Sequence, residues 1–222
     1  LNCLKSYKNR TFKIYEMRIV CYFINWEDKF YIPFLAKHYG AFCERIVMYD
    51  QGSNDGSIEL AVSLGMEVRM FGDNTINDQA YLDIKNHCWK ECRGTGVDYV
   101  IVVDADEFVV VSPTLNHPFP TVTGYNMISE DLPVNDMMEI KTAAFSEQYS
   151  KQAIFNPDLV QEIAYVHGAH KHNAIAKPVI IRANTPDECM NCKLLHFRMI
   201  GGVQRLIDRH KIYQGRLSKF NR

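Results

Sequence analysis

Strand-like and helix-like segments alternate from Met17 to Val103, and this alternation limits the possible folds more than any other feature. Apolar runs of strand length are followed by stretches in which apolar residues recur at helical spacing. The predicted strands are 17–24, 45–49, 67–71 and 98–103, and the predicted helices are 29–39, 57–64 and 78–92. Short connections between alternating strands and helices predict a parallel sheet with right-handed crossovers. The expected fold is therefore α/β, with a Rossmann-like, mostly parallel sheet and helices on both faces.

The pattern changes after Phe108, where prolines interrupt the chain and short strand-like pieces replace the alternation. These pieces are 121–128, 139–142 and 179–182, and a final basic helix is predicted over 202–215. We expect one domain over 1–222, in which 17–112 bind a nucleotide-type ligand and 113–222 add mixed strands. Ligands of open α/β sheets bind at the carboxyl ends of the strands, so the functional residues should follow strands.

Composition excludes several classes of function. The formal net charge of −1 gives no general positive field for nucleic acid, so no nucleic-acid partner is expected. No run approaches the roughly 18–20 apolar residues of a membrane span. The polar, basic first 16 residues lack the apolar core of a secretory signal. Seven scattered cysteines in a chain this long are expected to be reduced thiols, which predicts a cytoplasmic location.

Three carboxylates directly follow the fourth predicted strand, in the run Asp104-Ala105-Asp106-Glu107-Phe108. Two aspartates separated by one small residue at a strand end can bind one hard cation, which prefers oxygen ligands and also accepts phosphate. The alternative is a capped strand end with solvated acids.

Polar residues also follow the first two strands. Asn25 ends the first strand, and Asp50 begins the loop Asp50-Gln51-Gly52-Ser53-Asn54-Asp55-Gly56 after the second. Asp50 can accept a hydrogen bond from a base or a ribose, and Asp55 or Ser53 can cap the following helix. An ordinary Asx-rich turn is the alternative.

Taken in order, these motifs resemble glycosyltransferases of the GT-A fold, specifically those similar to family 2. The resemblance runs from Met17 to Asn221 and includes Asn25-x-Glu27, the 49–57 loop, Asp104-Ala105-Asp106, Gly124-Tyr125-Asn126-Met127, Tyr149-Ser150-Lys151, Gly168-Ala169-His170 and Leu194-Leu195-His196-Phe197-Arg198. It implies transfer of a sugar from a nucleotide-diphosphate donor, often a UDP-sugar, to an acceptor hydroxyl of a glycan or glycoconjugate.

The resemblance also implies roles for single residues. Asp50 matches the base-contacting acid, Asp104 the ribose or metal contact, and Asp106 the principal metal ligand. His196 matches the histidine that completes the metal site, although a core histidine is the alternative. Imidazole together with carboxylate suits Mn²⁺, whereas oxygens alone would favour Mg²⁺.

Further candidates on the donor side are Asn25, Asp55, Gln79, Lys85, Ala105 and Lys151. Gln79 and Lys85 resemble positions that reach the donor phosphate or sugar, and a flexible ammonium such as that of Lys151 suits phosphate. A second set of basic side chains could flank the diphosphate or complement a helix dipole: Arg198, Arg205, Arg209, Lys211 and Arg216.

Inverting enzymes of this fold need a carboxylate base near the acceptor hydroxyl. Glu130 and Asp131 follow Gly124-Tyr125-Asn126-Met127 at a plausible distance but match the base motif of the family poorly. Glu147 is a rival, and His170 lies in the same acceptor-side half. These four residues are the predicted catalytic set.

The sequence offers three other interpretations. A zinc site at Cys88, Cys92, Cys189 and Cys192 is disfavoured because the first pair lies within a predicted helix. A nucleotidyltransferase would carry a glycine-rich basic loop after the first strand, where this chain has Asn25-Trp26-Glu27-Asp28. A nucleotide-sugar or carbohydrate-binding module without catalysis stays open because no base is clearly matched.

Overall fold

Four parallel strands form the centre of the structure, a computed structural model that describes residues 17–72, 78–112, 115, 117–120, 122–166, 171–176 and 192–216. In chain order the elements are β1 (Ile19–Asn25), α1 (Ile32–Gly40), β2 (Arg45–Asp50), α2 (Ser57–Ser63), β3 (Glu67–Met70), α3 (Asp78–His87), β4 (Tyr99–Asp104), β5 (Glu107–Val110), β6 (Val122–Ser129), β7 (Ala143–Phe145), β8 (Ile154–Phe155), β9 (Val160–Val166), β10 (Lys171–Ala176), β11 (Cys192–Ile200) and α4 (Gly202–Arg216).

The main sheet has the strand order β3-β2-β1-β4-β8. The first four strands are parallel to one another, and β8 joins the edge antiparallel to β4. The predicted α/β class with a mostly parallel sheet is therefore confirmed.

Helices cover both faces of this sheet. Successive residues of β1 point to opposite faces and therefore belong to two different core clusters. Ile19, Cys21 and Phe23 belong to the core cluster that contains α1 and α2. Val20 and Tyr22 belong to a second cluster, in which Trp89 packs at the end of α3. Burial on both faces explains why β1 reads as a continuous apolar run.

A second, mixed sheet of order β5-β11-β6-β7 adjoins the carboxyl end of β4. Only Ala105 and Asp106 separate β4 from β5, so the chain passes directly from one sheet into the other. In return, β8 from the second half of the chain joins the main sheet. The expected mixed strands of the second half are present, and the two halves exchange strands. A separate pair, β9 and β10, is antiparallel.

Two predicted elements differ in the structure. The helix predicted over 78–92 ends at His87, and Cys88–Cys92 continue as a 3-10 helix. Such tightening to i→i+3 hydrogen bonds is common at helix ends. The strand predicted over 139–142 is wrong, because Met137–Glu139 form a 3-10 turn closed by a capping box between Asp136 and Glu139. The strand follows at Ala143–Phe145.

The final predicted helix is confirmed as α4, whereas the strand predicted over 179–182 lies outside the described residues. In the described part of the chain, no helix has the length and apolar character needed to cross a membrane.

Candidate functional site

A cavity of about 460 Å³ opens where the carboxyl ends of the parallel strands meet the second sheet and α4. Carboxylates, basic groups and aromatic rings share its wall. The lining residues are Ile24, Trp26, Asp28, Asp78, Tyr81, Lys85, Asp104, Ala105, Asp106, Tyr149, His196, Arg198 and Tyr213.

Strand register determines which predicted residues meet at this edge. Asn25 pairs with Asp50 across β1 and β2, and Ile24 pairs with Asp104 across β1 and β4. The three polar strand ends are therefore neighbours, as the parallel sheet predicts. Asp104 lies in the cavity wall, whereas Asn25 and Asp50 lie behind it.

Asp104 is held by two buried lysines. Lys85 Nζ donates a 2.7 Å hydrogen bond to Asp104 Oδ2, and Lys151 Nζ lies 3.9 Å from the same oxygen. Burial opposes ionisation of the Asp104 carboxyl, but the attraction of Lys85 and Lys151 outweighs it and lowers the pKa of Asp104. Asp104 is therefore a carboxylate at neutral pH.

His196 faces Asp106 because β11 pairs with β5, the strand that begins directly after Asp106. Phe197 N also donates to Asp106 O at 2.8 Å, which fixes β11 beside the turn that carries Asp106. The result is a separation of 3.6 Å between His196 Nε2 and Asp106 Oδ2. Both side chains are about nine-tenths buried, and both line the cavity.

Asp106 lies in a cationic environment. Its second neighbour is Arg198, whose Nη1 lies 3.6 Å from Asp106 Oδ2. Burial would raise the pKa of Asp106, but His196, Arg198 and Arg209 together hold it well below the usual value. An ionised carboxylate is the form that binds a cation.

Two contacts fix the His196 ring. Its Nδ1 lies 2.8 Å from Asn126 Oδ1, and since that oxygen can only accept, Nδ1 carries the proton. The ring of Tyr149 stacks on the imidazole at 3.8 Å between centroids. Nε2 is thereby left on the side of Asp106.

The residues present fit a divalent cation held by two protein groups. Two donors each roughly 2.1 Å from one ion are about 3–4 Å apart, and the separation of His196 Nε2 and Asp106 Oδ2 is 3.6 Å. Among the described residues no group of three or more His, Cys, Asp or Glu side chains is arranged to hold a metal ion. Of the predicted ligands, Asp106 and His196 lie together, whereas Oδ2 of Asp104 is engaged by Lys85. The three-residue ligand set stays a prediction.

Helix α4 contributes Tyr213 to the cavity wall. Arg209 Nη1 lies 2.5 Å from Asp28 Oδ1, an ion pair that ties α4 to the loop after β1. Tyr213 receives a 3.3 Å hydrogen bond from Arg198 Nη1 and packs edge-on against Trp26. The helix thus contributes an aromatic and a basic wall.

The loop after β2 is held by its own polar groups. Asp50 is fully buried and accepts hydrogen bonds of 2.7 Å from Asn25 Nδ2, Ser53 N and Ser53 Oγ. Asp55 accepts from Lys29 N and from Ser57 N, the first residue of α2. The predicted cap by Asp55 or Ser53 is not formed, because Gly56 occupies the N-cap position of α2. None of Asn25, Asp50 and Asp55 lines the cavity, and their nucleotide-binding roles stay predictions.

Of the remaining donor-side candidates, some line the cavity and others do not. Lys85 and Ala105 line the cavity. Gln79 lies on the exposed surface of α3, where its amide donates to Asp83 at 2.8 Å. Lys151 is buried beside the cavity and donates to Glu107 Oε1 at 2.7 Å.

The three predicted catalytic residues that the structure describes are not brought to the cavity. Glu130, Asp131 and Glu147 are exposed and do not line it, and His170 lies outside the described residues. Of the basic group, Arg198 lines the cavity and Arg209 holds Asp28, whereas Arg205 donates to Ile200 O at 3.0 Å. Lys211 is exposed on α4, and the side chain of Arg216 is not described.

Sequence reasoning assigned no role to several residues that build the site. Asn126 and Tyr149 occur in the quoted motifs, but only the fold reveals that both contact His196. Asp28, Tyr81 and Tyr213 lack a sequence signal, because an isolated tyrosine or aspartate is equally common on an ordinary surface. Their position in the cavity wall depends on the packing of α3 and α4.

No protein-family model matches the sequence, and no curated protein matches it. Solved structures do: a glucosyl-3-phosphoglycerate synthase from Mycobacterium tuberculosis with Mn²⁺, UDP and glucosyl-3-phosphoglycerate is 14% identical with a TM-score of 0.35, covering 53% of this chain and 50% of that chain. The same enzyme with Mn²⁺, UDP and phosphoglyceric acid gives 14% identity and a TM-score of 0.36 over 53% and 49% of the two chains. The same enzyme with Mg²⁺ and UDP is 14% identical with a TM-score of 0.34, covering 50% of this chain and 44% of that chain. The match therefore spans about half the length of these structures.

Proposed function

We propose that this chain is a metal-dependent glycosyltransferase of the GT-A type, which moves a sugar from a nucleotide-diphosphate donor, a UDP-sugar, to an acceptor hydroxyl. The observation that carries the proposal is the 3.6 Å approach of His196 Nε2 to Asp106 Oδ2 inside the cavity at the carboxyl edge of the parallel sheet. This is the edge at which α/β sheets bind nucleotides.

Asp106 and His196 would hold Mn²⁺, since a mixed carboxylate and imidazole pair suits that ion; Mg²⁺ is the alternative. When bound, such an ion offsets the negative charge of the donor diphosphate and of the departing nucleoside diphosphate. Arg198 lies beside the same carboxylate and lines the cavity, so its guanidinium can donate hydrogen bonds to phosphate oxygens.

The nucleoside would lie along the strand ends, toward α3. Asp104 is ionised and lines the cavity, which supports its predicted role as the ribose contact. Trp26 and Tyr81 offer aromatic surface in the same cavity. Asn25, Asp50 and Asp55 would then act by fixing the loop that borders this region, with Gln79 and Lys85 contributed by α3.

The acceptor would approach from the second half of the chain. A glycan or glycoconjugate is the proposed class, and Glu130, Asp131, Glu147 and His170 stay the predicted catalytic candidates for accepting the hydroxyl proton. The fold supports a divided site, in which β4 and α3 face the donor while the strands after β5 border the other side. A cytoplasmic location stays a prediction from the cysteine pattern.

The testing experiment measures thermal stabilisation by UDP-, GDP- and TDP-sugars with and without Mn²⁺, followed by slow hydrolysis of any stabilising donor. A ligand at 100 times its Kd raises the unfolding free energy by about 2.7 kcal/mol. We expect a UDP-sugar to stabilise the protein only with Mn²⁺ and to be hydrolysed. Stabilisation without hydrolysis or transfer would instead favour the alternative, a catalytically inactive nucleotide-sugar or carbohydrate-binding module. No stabilisation by any donor would contradict both the glycosyltransferase and the nucleotide-sugar-binding module.

A further inference from the structure

One short segment contacts His196 and the turn that carries Asp106. Residues 146–151, here called the brace segment, cross β6 directly over Gly124. Ser146 N donates to Gly124 O at 2.9 Å, and Gly124 N donates to Ser150 Oγ at 3.0 Å. A Cβ at position 124 would lie 2.2 Å from the carbonyl carbon of Tyr149, so only glycine permits this crossing without a shift of the backbone.

The first contact of the brace segment is with His196. The Tyr149 ring stacks on the imidazole with an interplanar angle of 21° and a centroid distance of 3.8 Å. Asn126, two residues beyond Gly124 on β6, binds the Nδ1 edge of the same ring. The stack restrains rotation out of the plane, and the hydrogen bond restrains rotation within it.

The second contact is with the turn that carries Asp106. Lys151 Nζ donates to Glu107 Oε1 at 2.7 Å, and the other oxygen of Glu107 accepts from Asp104 N at 2.9 Å. Lys151 and Glu107 are both nearly inaccessible to solvent, at 2% and 0% exposure. The lysine therefore fixes a carboxylate that itself closes the turn from Asp104 to Glu107.

From these contacts we infer that Tyr149 and Lys151 are positioning residues, which set the distance between His196 and Asp106 for one divalent cation. The inference rests on the proposed function, and it identifies the segment that positions the two metal ligands. Stability alone is a poor reason for the Lys151–Glu107 pair, because replacing a buried ion pair by apolar residues of similar volume is often neutral or stabilising. The pair has a clear use if it fixes a turn that carries a ligand.

The test uses the full chain and four variants: Tyr149→Leu, Tyr149→Phe, the double variant Lys151→Met with Glu107→Gln, and the control Tyr125→Leu. The double variant leaves no uncompensated buried charge. Tyr125 is a half-buried tyrosine of β6 that packs against Phe145, outside the cavity. Melting temperatures identify the variants that are folded, and only these are compared.

Two quantities are measured. The first is the NMR shift of the His196 ring protons without metal, which the stacked Tyr149 ring displaces upfield. The second is Mn²⁺ affinity in the presence of UDP, followed by the EPR signal of the free ion. Tyr149→Leu should move the ring protons downfield and weaken Mn²⁺ binding about tenfold, the lower end of what loss of a ligand's supporting contact costs.

Tyr149→Phe should restore both values, because it keeps the stacked ring. The double variant should weaken Mn²⁺ binding and leave the His196 shift unchanged, and Tyr125→Leu should change neither. A folded Tyr149→Leu variant with wild-type Mn²⁺ affinity would overturn the inference. So would a loss confined to UDP-sugar affinity with Mn²⁺–UDP binding intact, which would make Tyr149 a sugar contact. A wild-type chain that binds neither Mn²⁺ nor UDP would overturn the proposed function itself, and the inference with it.

Discussion

Lys85 donates a 2.7 Å hydrogen bond to Asp104 while only 1% of the lysine is exposed to solvent. Burial lowers the pKa of Lys85, and Asp104 acts against that shift by attracting the charged ammonium. The pair thus fixes the first aspartate of the acidic turn within the cavity wall. A buried charge of this kind depends strongly on its partner.

The Lys85→Met variant should therefore be destabilised. Asp104 would lose its nearest cation and keep only Lys151 at 3.9 Å. We expect the free energy of unfolding to fall by about 2 kcal/mol, less than for a fully buried pair because Asp104 is partly exposed. Urea denaturation measures this value. The double variant with Asp104→Asn should recover part of the loss, and strictly additive losses would show that the two side chains are not coupled.

Arg198 should recognise the diphosphate of the donor. It lines the cavity beside Asp106 and its guanidinium stacks over Tyr213 at 4.4 Å. Arg198→Gln should weaken UDP binding about tenfold and leave uridine binding unchanged, because only UDP offers phosphate oxygens. Calorimetry with both ligands makes the comparison, and Lys211→Gln, an exposed position on α4, is the matched control. Equal losses for UDP and uridine would contradict this role.

Glu91 lies at the opposite, amino-terminal edge of the sheet and predicts a pH dependence of stability. It accepts hydrogen bonds from Arg69 at 2.9 and 3.1 Å and from Tyr22 at 2.7 Å. Burial would raise the pKa of Glu91, but the hydrogen bonds from Arg69 and Tyr22 lower it below 4.5. A carboxyl whose pKa is lowered by folding contributes stability above its unfolded pKa, and that contribution is lost as the pH falls through the folded value.

Glu91→Gln should accordingly be less stable than the wild type by about 1 kcal/mol at pH 7, a modest value because Glu91 is partly exposed. The difference should shrink as the pH falls below about 4. Thermal unfolding across this range tests the sign, and UDP affinity at pH 7 should be unchanged because the site lies at the other edge. A difference that grows on acidification would contradict the assignment.

The sequence was sufficient to predict the parallel sheet and the edge at which the site forms. Apolar strands that end in Asn25, Asp50 and Asp104 must bring these residues to one edge once the strands are parallel. The sequence pattern does not distinguish Asp104 from Asp50. Asp104 lines the cavity, whereas Asp50 is fully buried and hydrogen-bonded to Asn25 and Ser53. Only local hydrogen bonding distinguishes a strand-end acid that faces a ligand from one that closes a turn.

Long-range packing explains the rest. Asn126 and Tyr149 meet His196 only because β11 lies between β5 and β6, a strand order that periodicity does not reveal. Arg209 and Asp28 are far apart in the sequence and form an ion pair only because α4 packs beside the loop after β1. The predicted strand 139–142 overlaps the 3-10 turn at Glu139, because periodicity does not reveal the capping box between Asp136 and Glu139.

The central claim is that Asp106 and His196 hold a divalent cation together with a nucleoside diphosphate. Calorimetric titration of UDP in the presence of Mn²⁺, comparing wild type with Asp106→Asn, tests it most directly. The control is Asp208→Asn, an exposed aspartate on α4. We predict that Asp106→Asn weakens UDP binding by at least about tenfold in Mn²⁺. The variant should stay folded in the absence of ligand, with a melting temperature below that of the wild type because His196 and Arg198 lose the carboxylate beside them. Unchanged UDP affinity in a folded Asp106→Asn variant would contradict the claim.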